Sequence, residues 1–147
     1  MSANSPSGNV TGLAHVAIAT GDADALAATL LSSLGATRGH EELLDGGALR
    51  VLFVHAGPVT FELLEPRSPE HTVAKFLEAR GPGLHHVSLE VSDLRAALSR
   101  ASGAGVRPID AEPRAGSHGT SIAFLHPKSL SGVLIELCQA SAPKPKA

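Results

Sequence analysis

The sequence predicts an α+β fold in which two βαβββ repeats build a curved mixed sheet around a cleft. Three observations carry this expectation. Residues recur at a fixed offset, short alternating segments flank Ala/Leu-rich helical stretches, and turn residues punctuate both halves at equivalent places.

The recurrence is the strongest of the three. Gly12-Leu13-Ala14-His15-Val16 lies over Gly83-Leu84-His85-His86-Val87 at an offset of 71, the difference between 15 and 86. The same offset carries Asp22 onto Asp93, Phe53 onto Phe124 and His55 onto His126. Phe61-Glu62-Leu63 matches Ile135-Glu136-Leu137 at an offset of 74, the three extra residues falling in the turn around Pro127 to Gly132.

Each element follows from local chemistry. Residues 12–19 alternate and read as a strand. Gly21 breaks it, and Asp22 caps a helix that runs to about Leu34 and stops at Gly35. Strands follow near 36–44, 48–56 and 58–65, the last pair joined at Ala56-Gly57-Pro58 and ended by Pro66. A linker helix near 70–80 leads through Gly81-Pro82-Gly83 into a strand at 84–91 and a helix at 93–103 capped by Asp93. Strands near 106–110, 119–126 and 131–138 complete the second half. The expected organisation is one domain, 11–140, made of repeats 11–66 and 83–140, between disordered ends at 1–10 and 141–147.

Composition narrows the function. Of 147 residues, 43% are hydrophobic and only 18% charged, enough apolar surface for a core and too little charge for a disordered chain. The net charge of -2 and the lack of a Lys/Arg stripe disfavour nucleic acid as a partner. A single cysteine, Cys138, fits a reducing compartment. With no signal-like start and no bilayer-length apolar run, a cytoplasmic protein away from the membrane is expected. Four Phe and no Tyr or Trp leave little for gripping a ligand by stacking, whereas eight His direct attention to metal chemistry.

Strand parity then selects four residues. His15 lies with Leu13 and Ala17, and Glu62 with Thr60 and Leu64; the second half repeats this with His86 beside Leu84 and Ser88, and Glu136 beside Leu134 and Cys138. A lone strand histidine is more often a satisfied core residue, and a lone glutamate can face solvent. Two buried-pattern glutamates at repeat-related places need a shared reason, because burying a carboxylate is costly unless a cation meets it. Two imidazoles and two carboxylates suit Co²⁺, Mn²⁺, Fe²⁺, Ni²⁺ or Zn²⁺, and on a six-coordinate ion they leave two positions open.

With those residues in place, the chain resembles the methylmalonyl-CoA epimerases of the vicinal oxygen chelate superfamily, from about Gly12 to Gln139. The resemblance rests on Gly83-Leu84-His85-His86-Val87, Phe124-Leu125-His126-Pro127-Lys128-Ser129, Gly132-Val133-Leu134-Ile135-Glu136-Leu137, Glu62-Leu63-Leu64-Glu65-Pro66 and Thr72-Val73-Ala74-Lys75-Phe76-Leu77. It implies metal ligands at His15, Glu62, His86 and Glu136, with Gln an accepted alternative at position 62. It further implies cobalt or another divalent ion, an acyl-CoA substrate, a homodimer, a place in propionate metabolism, and exchange of a C2 proton through an enolate. Glu136 is implied as one acid/base group. The glutamate usual for the second falls here on Gly46, so Asp45 beside it is the candidate, with Glu42 or a water as substitutes; an ordinary Asp45-Gly46-Gly47 hairpin turn is the competing reading. Lys128 and Ser129 are candidates for contacting CoA, against a plain surface turn.

His85 reads as packing or surface, His55 as structural, His40, His71 and His118 as loop residues, and Cys138 as a small packed residue. A glyoxalase-like lyase or isomerase would use the same four ligands and stays open. An extradiol dioxygenase-like enzyme is disfavoured by a fourth ligand. A non-catalytic, resistance-type binding protein is disfavoured because all four ligands are retained while rings are scarce.

Overall fold

The computed structural model describes residues 8–141. The chain divides into two compact units, 15–86 and 8–14 with 87–141. The divisions fall inside two strands, just before His15 and just after His86.

In the unit 15–86, the strand β1 (Val10–Ala19) contributes its second half and leads into α1 (Ala23–Leu34). Asp22 caps α1 by accepting the Ala25 N–H at 3.0 Å, and Gly35 ends it in the left-handed conformation, φ 64°, which costs glycine little. The strands β2 (Thr37–Leu44), β3 (Leu49–Ala56) and β4 (Val59–Pro66) follow. β2–β3 and β3–β4 are antiparallel, and β4 runs parallel to β1, with Ala17 opposite Glu62. Helix α1 covers the face of Leu52, Val54 and Leu63. The opposite face, with Ala17, Ala19, Val51, Phe53 and Leu64, takes Val73, Phe76 and Leu77 of α2 (Thr72–Arg80). By strand alternation His15 and Glu62 lie on this second face.

The other unit repeats the plan. β5 (Gly83–Val91) runs parallel to β8 (Ile135–Gln139), and α3 (Leu94–Gly103) begins where Asp93 accepts the Ala96 N–H at 3.0 Å. β7 (Ser121–Leu125) is antiparallel to β8, and the two-residue β6 (Arg114–Ala115) pairs with β7. Leu94, Ala97 and Leu98 of α3 pack on Val91, Ala123, Leu125 and Leu137. Ser88 and Glu136, partners in register, occupy the opposite face.

The repeat reaches further than the motifs that revealed it. Glu65 Oε2 accepts the Ala23 N–H at 2.7 Å, and Gln139 Oε1 accepts the Leu94 N–H at 2.8 Å. Each half therefore ties its helix start to the end of its last strand. Glu on one side and Gln on the other hide that equivalence from a search for identical residues.

Three expectations need correction. The segment 106–110 is not a strand. Pro108, lacking an N–H, makes only an isolated bridge with Leu125, and the Asp110 carboxylate takes the Phe124 N–H at 2.8 Å in place of a ladder carbonyl. His40 lies inside β2, bonded to Glu42 at 3.1 Å, and is not a loop residue, whereas His71 lies in the bend just before α2, where it serves as the N-cap. The expected disordered end at 1–10 overlaps described residues at its inner edge. Val10 opens β1, Asn9 accepts from Arg100, and Gly8 (φ 64°) is buried where a Cβ would strike the Ala97 backbone. Residues 1–7 and 142–147 lie outside the described residues. Among the described residues, no helix is long and apolar enough to cross a membrane.

Candidate metal centre

Three of the four expected ligands come together within the unit 15–86. His15 Nε2 and His86 Nε2 are 3.2 Å apart, and His15 Nε2 is 3.1 Å from Glu62 Oε2. All three are buried, at 8%, 5% and 6% exposure. Glu62 is held between its register partners Ala17 and Phe53, whose small and flat side chains leave the carboxylate facing His15. The Phe53 ring meets His15 edge-on at 6.1 Å between centroids.

Burial decides the charge of this cluster. Desolvation pushes His15 down to about 4. His86 is pushed further down by the same cause, then by the charges of His15 and His85. Both imidazoles are neutral at pH 7, the form that ligates a metal. Donors at right angles on one ion, with bonds of about 2.1 Å, stand about 3 Å apart, so the observed 3.1 and 3.2 Å suit a shared ion.

A second layer orients His86. Its Nδ1 faces His85 Nδ1 at 2.9 Å, and the His85 ring packs edge-on against Phe76 at 4.9 Å. For His86 to ligate through Nε2 its proton must sit on Nδ1 and be donated to His85, which fixes the tautomers of both rings. Burial pushes His85 down as well, which favours the neutral acceptor. Sequence parity gives His85 as packing or surface; its place beside His86 has no signal except adjacency.

The fourth expected ligand, Glu136, belongs to the other unit. It is 4% exposed and accepts the Ser88 hydroxyl at 2.7 Å. Desolvation raises its carboxyl to about 7, against the opposing pull of the Ser88 hydrogen bond and the Arg114 charge. Such a carboxyl can hold or release a proton near neutrality.

The remaining candidates are more exposed. Asp45 opens the turn Asp45–Gly47 between β2 and β3, in which all three residues have positive φ, and its Oδ2 is 2.7 Å from His71 Nε2. Lys128 and Ser129 lie exposed in the 3-10 turn Pro127–Ser129, where Ser129 donates to the Gly105 carbonyl at 3.4 Å. Cys138 is buried in β8.

Known proteins share this frame. Residues 14–124 match the family model described as the Glyoxalase/Bleomycin resistance protein/Dioxygenase superfamily. The chain is 40% identical over 129 residues to the ethylmalonyl-CoA/methylmalonyl-CoA epimerase of Cereibacter sphaeroides, covering 86% of this chain and 96% of that one. The crystal structure of methylmalonyl-CoA epimerase from Mycobacterium tuberculosis superposes with a TM-score of 0.86 at 36% identity, over 97% of this chain and 94% of that one. A variant of the Streptomyces coelicolor methylmalonyl-CoA epimerase, in complex with 2-nitronate-propionyl-CoA, gives 0.85 at 33% identity, over 91% of this chain and all of that one (100%). The fold class is thus the expected one, and the chain belongs to the Glyoxalase/Bleomycin resistance protein/Dioxygenase superfamily and, within it, to the methylmalonyl-CoA epimerase family.

Proposed function

We propose that the protein is an epimerase interconverting R- and S-methylmalonyl-CoA by moving the proton on C2. The observation that carries this reading is the buried cluster of His15, Glu62 and His86, whose donors are spaced for one ion, in a chain closely similar to such epimerases.

His15, Glu62, His86 and Glu136 hold the ion in this proposal, two ligands from each of the repeats 11–66 and 83–140. A divalent cation held there, cobalt being the first to try, would supply positive charge to offset the negative charge that develops on the thioester. Glu136, buried and bonded to the Ser88 hydroxyl, is assigned the role of one acid/base group at C2. Inversion needs a second acid/base group on the opposite face of C2, a role assigned to Asp45. The bound analogue in the Streptomyces enzyme supports this chemistry, because a nitronate is planar at carbon and carries its negative charge on oxygen, as an enolate does. Lys128 and Ser129 are assigned to the CoA moiety. The single Cys138 agrees with a reducing, cytoplasmic setting, and a homodimer serving propionate metabolism completes the proposal.

The test is exchange of the C2 hydrogen of deuterated methylmalonyl-CoA by metal-loaded protein. Metal-dependent loss of the label together with inversion is expected. Folded, metal-loaded protein that neither exchanges nor inverts would sink the proposal, and activity on a glutathione adduct instead would favour a glyoxalase-like enzyme.

A further inference from the structure

We propose that Arg114 is a substrate-binding residue whose guanidinium receives the free carboxylate of the acyl group; this rests on the epimerase reading above. Its placement follows from strand register within one compact unit. Arg114 of β6 pairs with Ile122 of β7, and Phe124, two positions on, pairs with Glu136 of β8. Residues opposite one another or two apart share a face, so Arg114, Phe124 and Glu136 stand on the side of the sheet away from α3. Ser88, the partner of Glu136 in β5, lies there too.

The backbones of β6 and β8 are separated by β7, a span of about 10 Å. The Arg114 side chain crosses part of it. Its guanidinium lies over the Phe124 ring, 5.5 Å from the centroid, directly beside the strand that carries Glu136. The charge is near enough to act on the Glu136 carboxyl. A cation over an aromatic face is held without using its in-plane N–H donors.

Asp110 fixes the group from the side. Its Oδ2 accepts the Phe124 N–H at 2.8 Å, and its Oδ1 is 3.3 Å from Arg114 Nε. Nε is the inner nitrogen of the fork, so this pairing leaves the two terminal amino groups, which can meet a carboxylate side by side. The Arg114 side chain is 50% exposed against 19% for Asp110, so a ligand can reach the fork while its anchor is enclosed.

Charge gives the reason for a cation here. A carboxylate on C2 that approaches Glu136 meets two acidic groups, Glu136 and Asp110, away from bulk water, and like charges repel strongly in such a setting. Arg114 offsets that repulsion and supplies paired donors. Phe53, the repeat equivalent of Phe124 and the register partner of Glu62, has the His40 ring at 6.2 Å instead. Where the second half carries a fixed positive charge, the first carries an imidazole. The substrate class selected is an acyl-CoA with a second, free carboxylate, which methylmalonyl-CoA has and propionyl-CoA lacks.

Titration calorimetry on cobalt-loaded, full-length protein tests this with Arg114→Gln and Arg114→Lys. Three probes are compared: methylmalonyl-CoA, propionyl-CoA, and methylmalonyl-pantetheine, which has the carboxylate but no phosphates. R114Q should bind methylmalonyl-CoA and methylmalonyl-pantetheine about tenfold more weakly than wild type, with propionyl-CoA unchanged. R114K keeps the charge without the fork and should recover only part of the loss. In turnover of methylmalonyl-CoA the defect should fall on KM more than on kcat. Wild-type affinity for methylmalonyl-CoA in R114Q overturns the inference. So does a loss shared by propionyl-CoA and absent from methylmalonyl-pantetheine, which would place Arg114 on a CoA phosphate. Wild-type protein that shows the Arg114-dependent preference for a carboxylate, yet neither exchanges nor inverts C2, would remove the epimerase reading and leave the binding role standing.

Discussion

Ser88 donates its hydroxyl to Glu136 at 2.7 Å, while at the repeat-equivalent place Ala17 stands opposite Glu62 and has no hydroxyl to give. The two halves are alike in backbone and unlike in chemistry. Glu62 meets His15 instead, at 3.1 Å.

Ser88→Ala should therefore act on protons rather than on the fold. Ser88 is fully buried, and the hydroxyl opposes the upward push of burial on Glu136. Its loss should raise that carboxyl further above its ordinary value. A hydrogen bond to a charged group contributes about 1.5–3 kcal/mol, so cobalt affinity at pH 7 should drop roughly ten- to a hundredfold, with smaller losses at pH 9. Titrations of cobalt binding at the two pH values check this; a loss equal at both would mean that Ser88 does not act through the protonation of Glu136.

Metal-free protein should lose stability as pH falls below 6.5. In the folded state His15 titrates near 4 and His86 is depressed further, so the unfolded chain binds protons that the folded one refuses. The His15 contribution is lost between pH 6.5 and 4 and amounts to roughly 3 kcal/mol. Glu136 has the opposite sign. Its carboxyl is raised to about 7, so the folded state holds a proton that the unfolded state releases, and its contribution is lost as pH rises from 4.5 through 7. Between pH 6.5 and 4.5 two imidazoles act against one carboxyl, and the imidazoles win. Glu136→Gln removes the opposing group and should make the acid decline about twice as steep in chemical denaturation. An unchanged slope would show that Glu136 does not titrate there.

Removing one imidazole should cost far more metal than altering Glu62. His86→Ala removes one of the proposed ligands and the anchor of the His85 contact, and should abolish stoichiometric cobalt uptake. Glu62→Gln keeps an oxygen donor in the same place and loses only its charge, so binding should persist with affinity lowered by about tenfold. Metal analysis after desalting distinguishes the two. Stoichiometric cobalt in H86A would mean the ligands have been assigned wrongly.

Much of this site was legible because repetition is a strong signal. Gly-Leu-x-His-Val and x-Glu-Leu recur at near-constant offsets, and strand parity turned those letters into a shared face. The helix caps at Asp22 and Asp93 were legible for the same reason. What escaped was long-range and chemically varied. Nothing local indicates that His71 reaches Asp45 across 26 positions, or that Glu65 and Gln139 serve the same purpose with different side chains. His40 was hidden by a break in register between Arg38 and Glu41, which blurs the alternation that marks a strand. The segment 106–110 misled in the other direction. Val106 and Ile109 have β-forming character, and only the partners in β7 reveal that Pro108 and Asp110 change the bonding.

That segment gives the last prediction. Asp110 accepts the Phe124 N–H at 2.8 Å and lies 3.3 Å from Arg114. Phe124 is the register partner of Glu136, so Asp110 secures the strand that backs this carboxylate. Asp110→Ala leaves a partly buried amide without its acceptor and should cost about 1–3 kcal/mol. Asp110→Asn keeps a carbonyl oxygen there and should recover most of that loss, because the Arg114 pair is half exposed and contributes little. Urea denaturation of the three proteins measures the difference. If D110N is as unstable as D110A, the charge on Arg114 matters more than the Phe124 amide, and the backbone account of this segment fails.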